Sequence, residues 1–158
     1  MPTDNKTKLH LIVGALLIIS FAILFVRQEF FSMSQEQLQP ARIGQADIVV
    51  EIVVNDAAKA RGLSNRLELP VNQGMYFPYT DRRARTFHMG NMLFPVDMVW
   101  LSQGSIVAIS QNVQLFDAAG NVTRVLSPAP VDGVLELNAG FVQAHQVKVG
   151  DEFKILDK

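Results

Sequence analysis

The sequence contains no cysteine, which excludes disulfides, thiolate zinc sites, iron–sulfur clusters and cysteine nucleophiles. Charge is scarce as well. Asp, Glu, Lys and Arg make up 18% of the 158 residues, against about 25% in ordinary soluble domains. Neither sign dominates: fourteen basic and fifteen acidic side chains leave a formal charge of −1. That balance excludes a broad basic surface of the kind that holds nucleic acid. Recognisable metal patterns are missing too. The three histidines form no HxH or HExxH pair, so no metal or other cofactor is called for. No GxSxG elbow precedes a helix, and Gly104-Ser105 reads as a turn. There is no internal repeat, and no long amphipathic helices alternate with strands, which argues against a parallel α/β sheet.

What the chain does have is one long apolar run. Leu9 to Val26 spans 18 residues, interrupted by His10 near its start. As a helix it rises about 27 Å, close to the roughly 30 Å hydrocarbon core of a bilayer. Lys6 and Lys8 precede the run and Arg27 follows it, so the bias of Lys and Arg toward the cytoplasm favours an N-terminus inside. A cleaved signal peptide is the competing reading. It wants a small-x-small cleavage site, and Val26-Arg27-Gln28-Glu29-Phe30 offers none. The expected organisation is a cytoplasmic stretch over 1–8, a transmembrane signal-anchor over 9–27, a Gln-rich linker over 28–45 and a domain over 46–158. Both readings place the domain outside the cytoplasm, as a periplasmic or extracytoplasmic body.

The domain reads as many short strands. Ala46 to Val54 alternates, with Ile48, Val50, Ile52 and Val54 on one face. A short helix over Ala57 to Gly62 follows, capped by Asn55 or Asp56 and ended by Gly62. Strands are expected over Gly74–Phe77 and Arg85–Met89 around a polar loop. A hairpin over Asp97–Leu101 and Ser105–Ser110 turns at Gln103-Gly104. Val113–Phe116 and Val122–Leu126 flank the turn at Asp117–Asn121. Val134–Asn138 is a further strand, Ala139–His145 a short helix, and Phe153–Leu156 the last strand. Turns about every ten residues predict a mainly β fold, an antiparallel sandwich or barrel with one or two short helices, preceded by a single transmembrane helix.

Three blocks carry a family resemblance. Gly62-Leu63-Ser64-Asn65-Arg66, with Leu69-Pro70 and Gly74-Met75-Tyr76-Phe77, is followed by Phe87-His88-Met89-Gly90-Asn91-Met92 and Pro95-Val96-Asp97-Met98-Val99-Trp100. Leu135-Glu136-Leu137-Asn138-Ala139-Gly140 and Val147-Lys148-Val149-Gly150-Asp151 close the series. In order and content these blocks resemble the DUF192 family over about residues 46 to 156. The resemblance implies a compact β-sandwich, often exported or tethered, with no assigned catalytic residue. The chain departs from that pattern where His88 replaces a usual Trp, Gly90 a Lys and Met92 a Thr, so that hairpin has neither the aromatic face nor the cation.

Within the blocks the polar candidates for a binding cluster are Arg66, His88, Asn91, Asp97, Glu136 and Asn138. One reading gathers them in a cleft, where Asp97 and Glu136 in different environments divide acid and base roles. The other has the two carboxylates accept hydrogen bonds from Arg66 or loop amides and hold the fold together. Arg82, Arg83 and Arg85 form the one basic cluster, read as a solvated loop beside Asp81. The expected function is a tethered ligand-binding or assembly module, with the lipid bilayer and a protein of the envelope as partners and no nucleic acid. A small acid–base enzyme using Asp97 and Glu136 is the alternative.

Overall fold

The computed structural model describes His10, Val13, residues 15–23 and residues 38–156. They fall into two units, divided after residue 37. In the first unit the described residues are helical and their apolar side chains are exposed. Among the described residues no helix is long and apolar enough to cross a membrane. The span expected over 9–27 lies in part outside them, as do the stretches 1–8 and 28–37.

The second unit is a mainly β domain of nine strands: β1 Leu38–Ile43, β2 Ala46–Ile52, β3 Gln73–Arg83, β4 Thr86–His88, β5 Val96–Ser102, β6 Ser105–Val113, β7 Arg124–Leu126, β8 Val131–Asn138 and β9 Phe153–Ile155. Two short helices interrupt them, α1 Asp56–Arg61 and α2 Phe141–Ala144. Seven strands form one sheet in the order β6-β5-β8-β3-β2-β1-β9, and β4 pairs with β7 as a separate ribbon. The sheet curls into a half-barrel. Its two edge strands meet at one end, where the Phe153 amide donates to the Gly104 carbonyl and the Ile106 amide to the Asp151 carbonyl.

The fold differs from expectation at four points. Of the expected sandwich or barrel, the barrel is the nearer: the architecture is a single curled sheet with a ribbon, not two stacked sheets. The sheet is not wholly antiparallel, because β2 and β3 run parallel. Parallel neighbours need a crossover of roughly a dozen residues or more, and residues 53–72, with α1 among them, supply it. The linker ends early: Leu38–Ile43 is β1, paired to β2 and β9. Its Pro40 and Gln-rich lead-in hid a strand whose Ala41 and Ile43 are fully buried. The expected polar loop after Phe77 is likewise strand, since β3 runs on to Arg83.

The sheet is buried on both faces at its centre. Along β5, Val99 and Leu101 enter one apolar cluster with Leu135, Leu137, Phe141 and Phe153. Met98 and Trp100 enter the other, with Met75, Phe77, Leu63 and Val134. Period-two alternation therefore gives an unbroken apolar run rather than a polar/apolar one. The Trp100 indole donates to Ser110 Oγ at 2.9 Å, so its one polar group is satisfied.

Asp97 serves this framework. The β5–β6 register slips between Val96 and Met98, opposite Asn112, whose φ is +50°. Asp97 Oδ1 accepts the Asn112 amide at 2.7 Å and Oδ2 the Val142 amide at 2.9 Å. One carboxylate thus pairs an amide at the bulge and caps α2, whose own N-cap, Gly140, has no side chain to do so. Asp97→Ala leaves the buried Val142 amide and the part-buried Asn112 amide unpaired. We expect a loss of about 3 kcal/mol, measured by urea unfolding. A change below about 0.5 kcal/mol would show that the clamp contributes little to the fold.

Candidate functional site

Glu136 stands on the other face. In β8 it lies opposite Met75 of β3 and Met98 of β5, both fully buried. Strand alternation aims it away from Leu135 and Leu137, into the cluster that holds Trp100 and Phe77. It is itself 5% exposed. Among the described residues nothing forms a hydrogen bond or ion pair with its carboxyl. What the carboxyl meets instead is a cavity of about 240 Å³, lined by Lys59, Arg61, Ser64, Phe77, Phe87, His88 and their neighbours.

Local sequence builds the walls. Asn55 caps α1 by accepting the Ala58 amide at 2.7 Å, and Gly62 ends it with φ of +50°. A side chain is strained at that φ, so glycine lets the chain turn from helix into the 62–66 loop. That loop is tied to the segment after β4: Ser64 Oγ donates to the Gly90 carbonyl at 2.9 Å and the Asn65 amide to the Asn91 carbonyl at 2.8 Å. The third wall is aromatic. Phe87 meets Phe77 edge-on at 5.2 Å and Trp100 at 5.8 Å. Tyr79 lies between two cations, with Lys59 Nζ 4.2 Å and Arg85 Cζ 3.7 Å from its ring centre.

Burial pushes the Glu136 carboxyl up to about 8, and the positive charge of Arg66 draws it down by less. At neutral pH the group is therefore mostly protonated and acts as a hydrogen-bond donor as well as an acceptor. Burial also raises the Tyr79 phenol, the charge of Arg85 opposing it.

The six residues expected to cluster do not. Glu136 and His88 line the cavity. Asp97 is on the opposite face of the sheet, opposite Leu137 in register, so the two carboxylates share no cleft and the expected acid–base pairing has no geometric basis. The alternation of β5 and β8 separates them: Met98, not Asp97, faces Glu136. Arg66 Nη2 pairs with Glu51 at 2.8 Å. Asn138 Nδ2 donates to the Leu69 carbonyl at 2.8 Å and steadies that loop. Asn91 is exposed and takes a left-handed φ of +58°. His88 Nδ1 accepts the Gly90 amide at 3.1 Å, and a Cβ on residue 90 would come within 2.9 Å of that nitrogen. The departures from the family pattern at 88 and 90 are thus sterically coupled.

Sequence reasoning missed Lys59, Arg61, Tyr79 and Phe87 as cavity residues. The Gly62 block borders them, but their convergence needs the parallel crossover. It also misread Arg85 as solvated. That side chain is buried, donates to the Asp81 carbonyl and carboxylate, and leaves its Nε without a partner. Among the described residues no three His, Asp or Glu side chains gather as a metal ion requires.

A family model, DUF192, described as Uncharacterized ACR, matches residues 39–155. No curated protein matches. Two solved structures are similar. One is named as a candidate transcription regulator of Sinorhizobium meliloti 1021. It is 29% identical with a TM-score of 0.68, and the match covers 75% of this chain and 93% of that one. The other is a protein of unknown function from Novosphingobium aromaticivorans DSM 12444. It is 25% identical with a TM-score of 0.66, over 74% of this chain and 84% of that one.

The raised Glu136 has a consequence for stability. Its folded value, about 8, exceeds the roughly 4.3 of an unfolded chain. The folded state therefore holds the proton more tightly, and stability falls as pH rises from about 4.5 to 8 and levels off above. Glu136→Gln removes that slope. Melting curves from pH 5 to 8.5 should show the variant gaining on the wild type with pH, by a few kcal/mol at the upper end. Parallel curves for the two proteins would mean that Glu136 is ionised throughout.

Proposed function

The chain belongs to the DUF192 family, and from the cavity above Glu136 we propose that it is a membrane-tethered module that binds a small ligand outside the cytoplasm. The observation that carries the binding reading is Glu136 itself. It stands between two buried methionines and opens only to the cavity, a setting in which a carboxyl costs stability that an apolar side chain would not. A titratable group perturbed by burial and bordering a cavity is a candidate functional site. The volume, about 240 Å³, lies below the roughly 300–1,000 Å³ of drug-sized sites and restricts the ligand to a small molecule.

The enzymatic alternative has less support, because it needs a second acid–base group and Asp97 is already committed to two backbone amides on the far face. The regulator named among the structural neighbours would need a nucleic-acid surface here, and a net charge of −1 argues against one. The tether rests on the apolar run over 9–26 and its flanking Lys6, Lys8 and Arg27.

Three measurements test this. A fragment library screened by NMR against the full chain in detergent micelles should shift the amides of Gly62, Ser64, Tyr79 and Phe87 together. A screen in which no fragment moves that set would overturn the binding reading. Alkaline carbonate washing should leave the full chain in the membrane fraction, and protease added to the outer side should digest residues 38–156. Release by carbonate, or protection of the domain until the cell is opened, would overturn the tether.

A further inference from the structure

The lining of the cavity is chemically asymmetric. Glu136, 5% exposed, lines it, and among the described residues its carboxyl forms no hydrogen bond or ion pair. Phe77 and Phe87 form an apolar wall, in edge-to-face contact with each other. From α1 come two cations, Lys59 and Arg61. Lys59 Nζ donates to the Pro78 carbonyl at 2.6 Å, but among the described residues neither cation forms an ion pair. Glu136 is the one acidic side chain of the lining.

We infer that the ligand is a small organic anion: its charged group sits against Arg61 and Lys59, its apolar body lies on Phe77 and Phe87, and an uncharged oxygen at its other end accepts a hydrogen bond from Glu136. This rests on the cavity being a binding site. Each part follows from what the lining leaves unsatisfied. A cationic ligand would enter past two positive charges that form no ion pair among the described residues, which like-charge repulsion disfavours. A wholly apolar ligand would leave the Glu136 carboxyl as unpartnered as before, and buried polar groups without partners discriminate strongly against such ligands. A second anionic group at the floor would meet only one donor. A neutral hydroxyl or carbonyl oxygen makes the pairing that the protonated carboxyl lacks. The cations belong to α1, so the recognition does not depend on the segment 88–92, where the family's usual cation is missing.

Three matched probes decide the matter on the full chain in micelles: para-hydroxybenzoate, para-hydroxybenzamide and para-hydroxybenzylamine. They share ring and hydroxyl and differ in the charge of the other end. The expected order is benzoate first, the amide about fivefold weaker and the amine weakest, followed by the shifts of the Gly62, Ser64 and Phe87 amides. Arg61→Gln, at an exposed helix end, should remove most of the benzoate's advantage and leave the amide's affinity unchanged. Glu136→Gln keeps a donor and should bind the benzoate within about threefold of wild type, whereas Glu136→Leu should bind about tenfold more weakly. An amine that binds as tightly as the benzoate, or an Arg61→Gln variant that preserves the preference, would overturn the anion assignment while the cavity remains a binding site. Silence from all three probes also overturns the assignment, and if the broad fragment screen is silent too, the binding reading falls with it.

Discussion

Two strands at the centre of the sheet, β5 and β8, have side chains buried on both faces, and every polar group placed there must find a partner or stay neutral. Asp97 and Glu136 are the two carboxyl groups that the sequence puts in this position. They meet the constraint in opposite ways. Asp97 accepts two backbone amides, from Asn112 at the bulge and from Val142 at the start of α2. Glu136 is given methionines for neighbours and holds its proton. The first is a structural solution and the second is not, since a Leu or Met at 136 would complete the cluster without a desolvation cost. The difference between two acidic residues of similar burial sets the two faces of the sheet apart: one carboxylate clamps the backbone and the other borders a cavity.

The cavity exists because β2 and β3 are parallel. An antiparallel hairpin at this point would join them with a tight turn, and neither α1 nor the Gly62–Arg66 loop would lie over the β3–β8 face. The parallel pair instead sends residues 53–72 across, and this crossover delivers α1 with Lys59 and Arg61 and the Gly62–Arg66 loop. The β4–β7 ribbon covers the remaining side with Phe87 and His88. Two hydrogen bonds, from Ser64 and Asn65 to the 90–91 carbonyls, close the seam between these otherwise separate segments. The mouth is therefore made of loops while the floor is made of sheet, the division that lets a rigid framework carry an adaptable binding edge.

Most strands could be read from alternation and turn residues: β2, the β5–β6 hairpin about Gln103-Gly104, and the Asp117–Asn121 turn fall where the pattern puts them. The misses share one cause. β1 contains Pro40 and follows a Gln-rich stretch, so its local composition argues for a linker. It is a strand because β2 and β9 supply its hydrogen bonds from both sides, and no local signal reports that. The second half of β3 is polar because it runs beyond the buried part of the sheet, which looks like a loop to any pattern that equates strands with apolar alternation. For the site, Glu136 could be singled out because its neighbours Leu135 and Leu137 fix the face it takes. Its pairing with Asp97 could not be judged without the β5–β8 register. A shift of one residue would have put the two carboxylates side by side.

The walls around Glu136 are held before any ligand arrives. Tyr79 is fixed between Lys59 and Arg85, and Arg85 in turn is anchored to the Asp81 carbonyl and carboxylate. Lys59 reaches the Pro78 carbonyl, so α1 and β3 are joined by a direct bond at the rim. Phe77, Phe87 and Trp100 form an edge-to-face series that leaves little rotamer freedom. Ordering side chains is one of the main costs of association, about 0.5–1.5 kcal/mol for each one immobilised, and here that cost falls on folding. The desolvation of Glu136 is also incurred in the empty protein. A ligand that hydrogen-bonds to the carboxyl therefore recovers part of an expense that folding has already met. Under the proposed binding reading, a cavity too small for extensive contact area would retain a small molecule through one polar group without a protein partner and a surround that does not have to move.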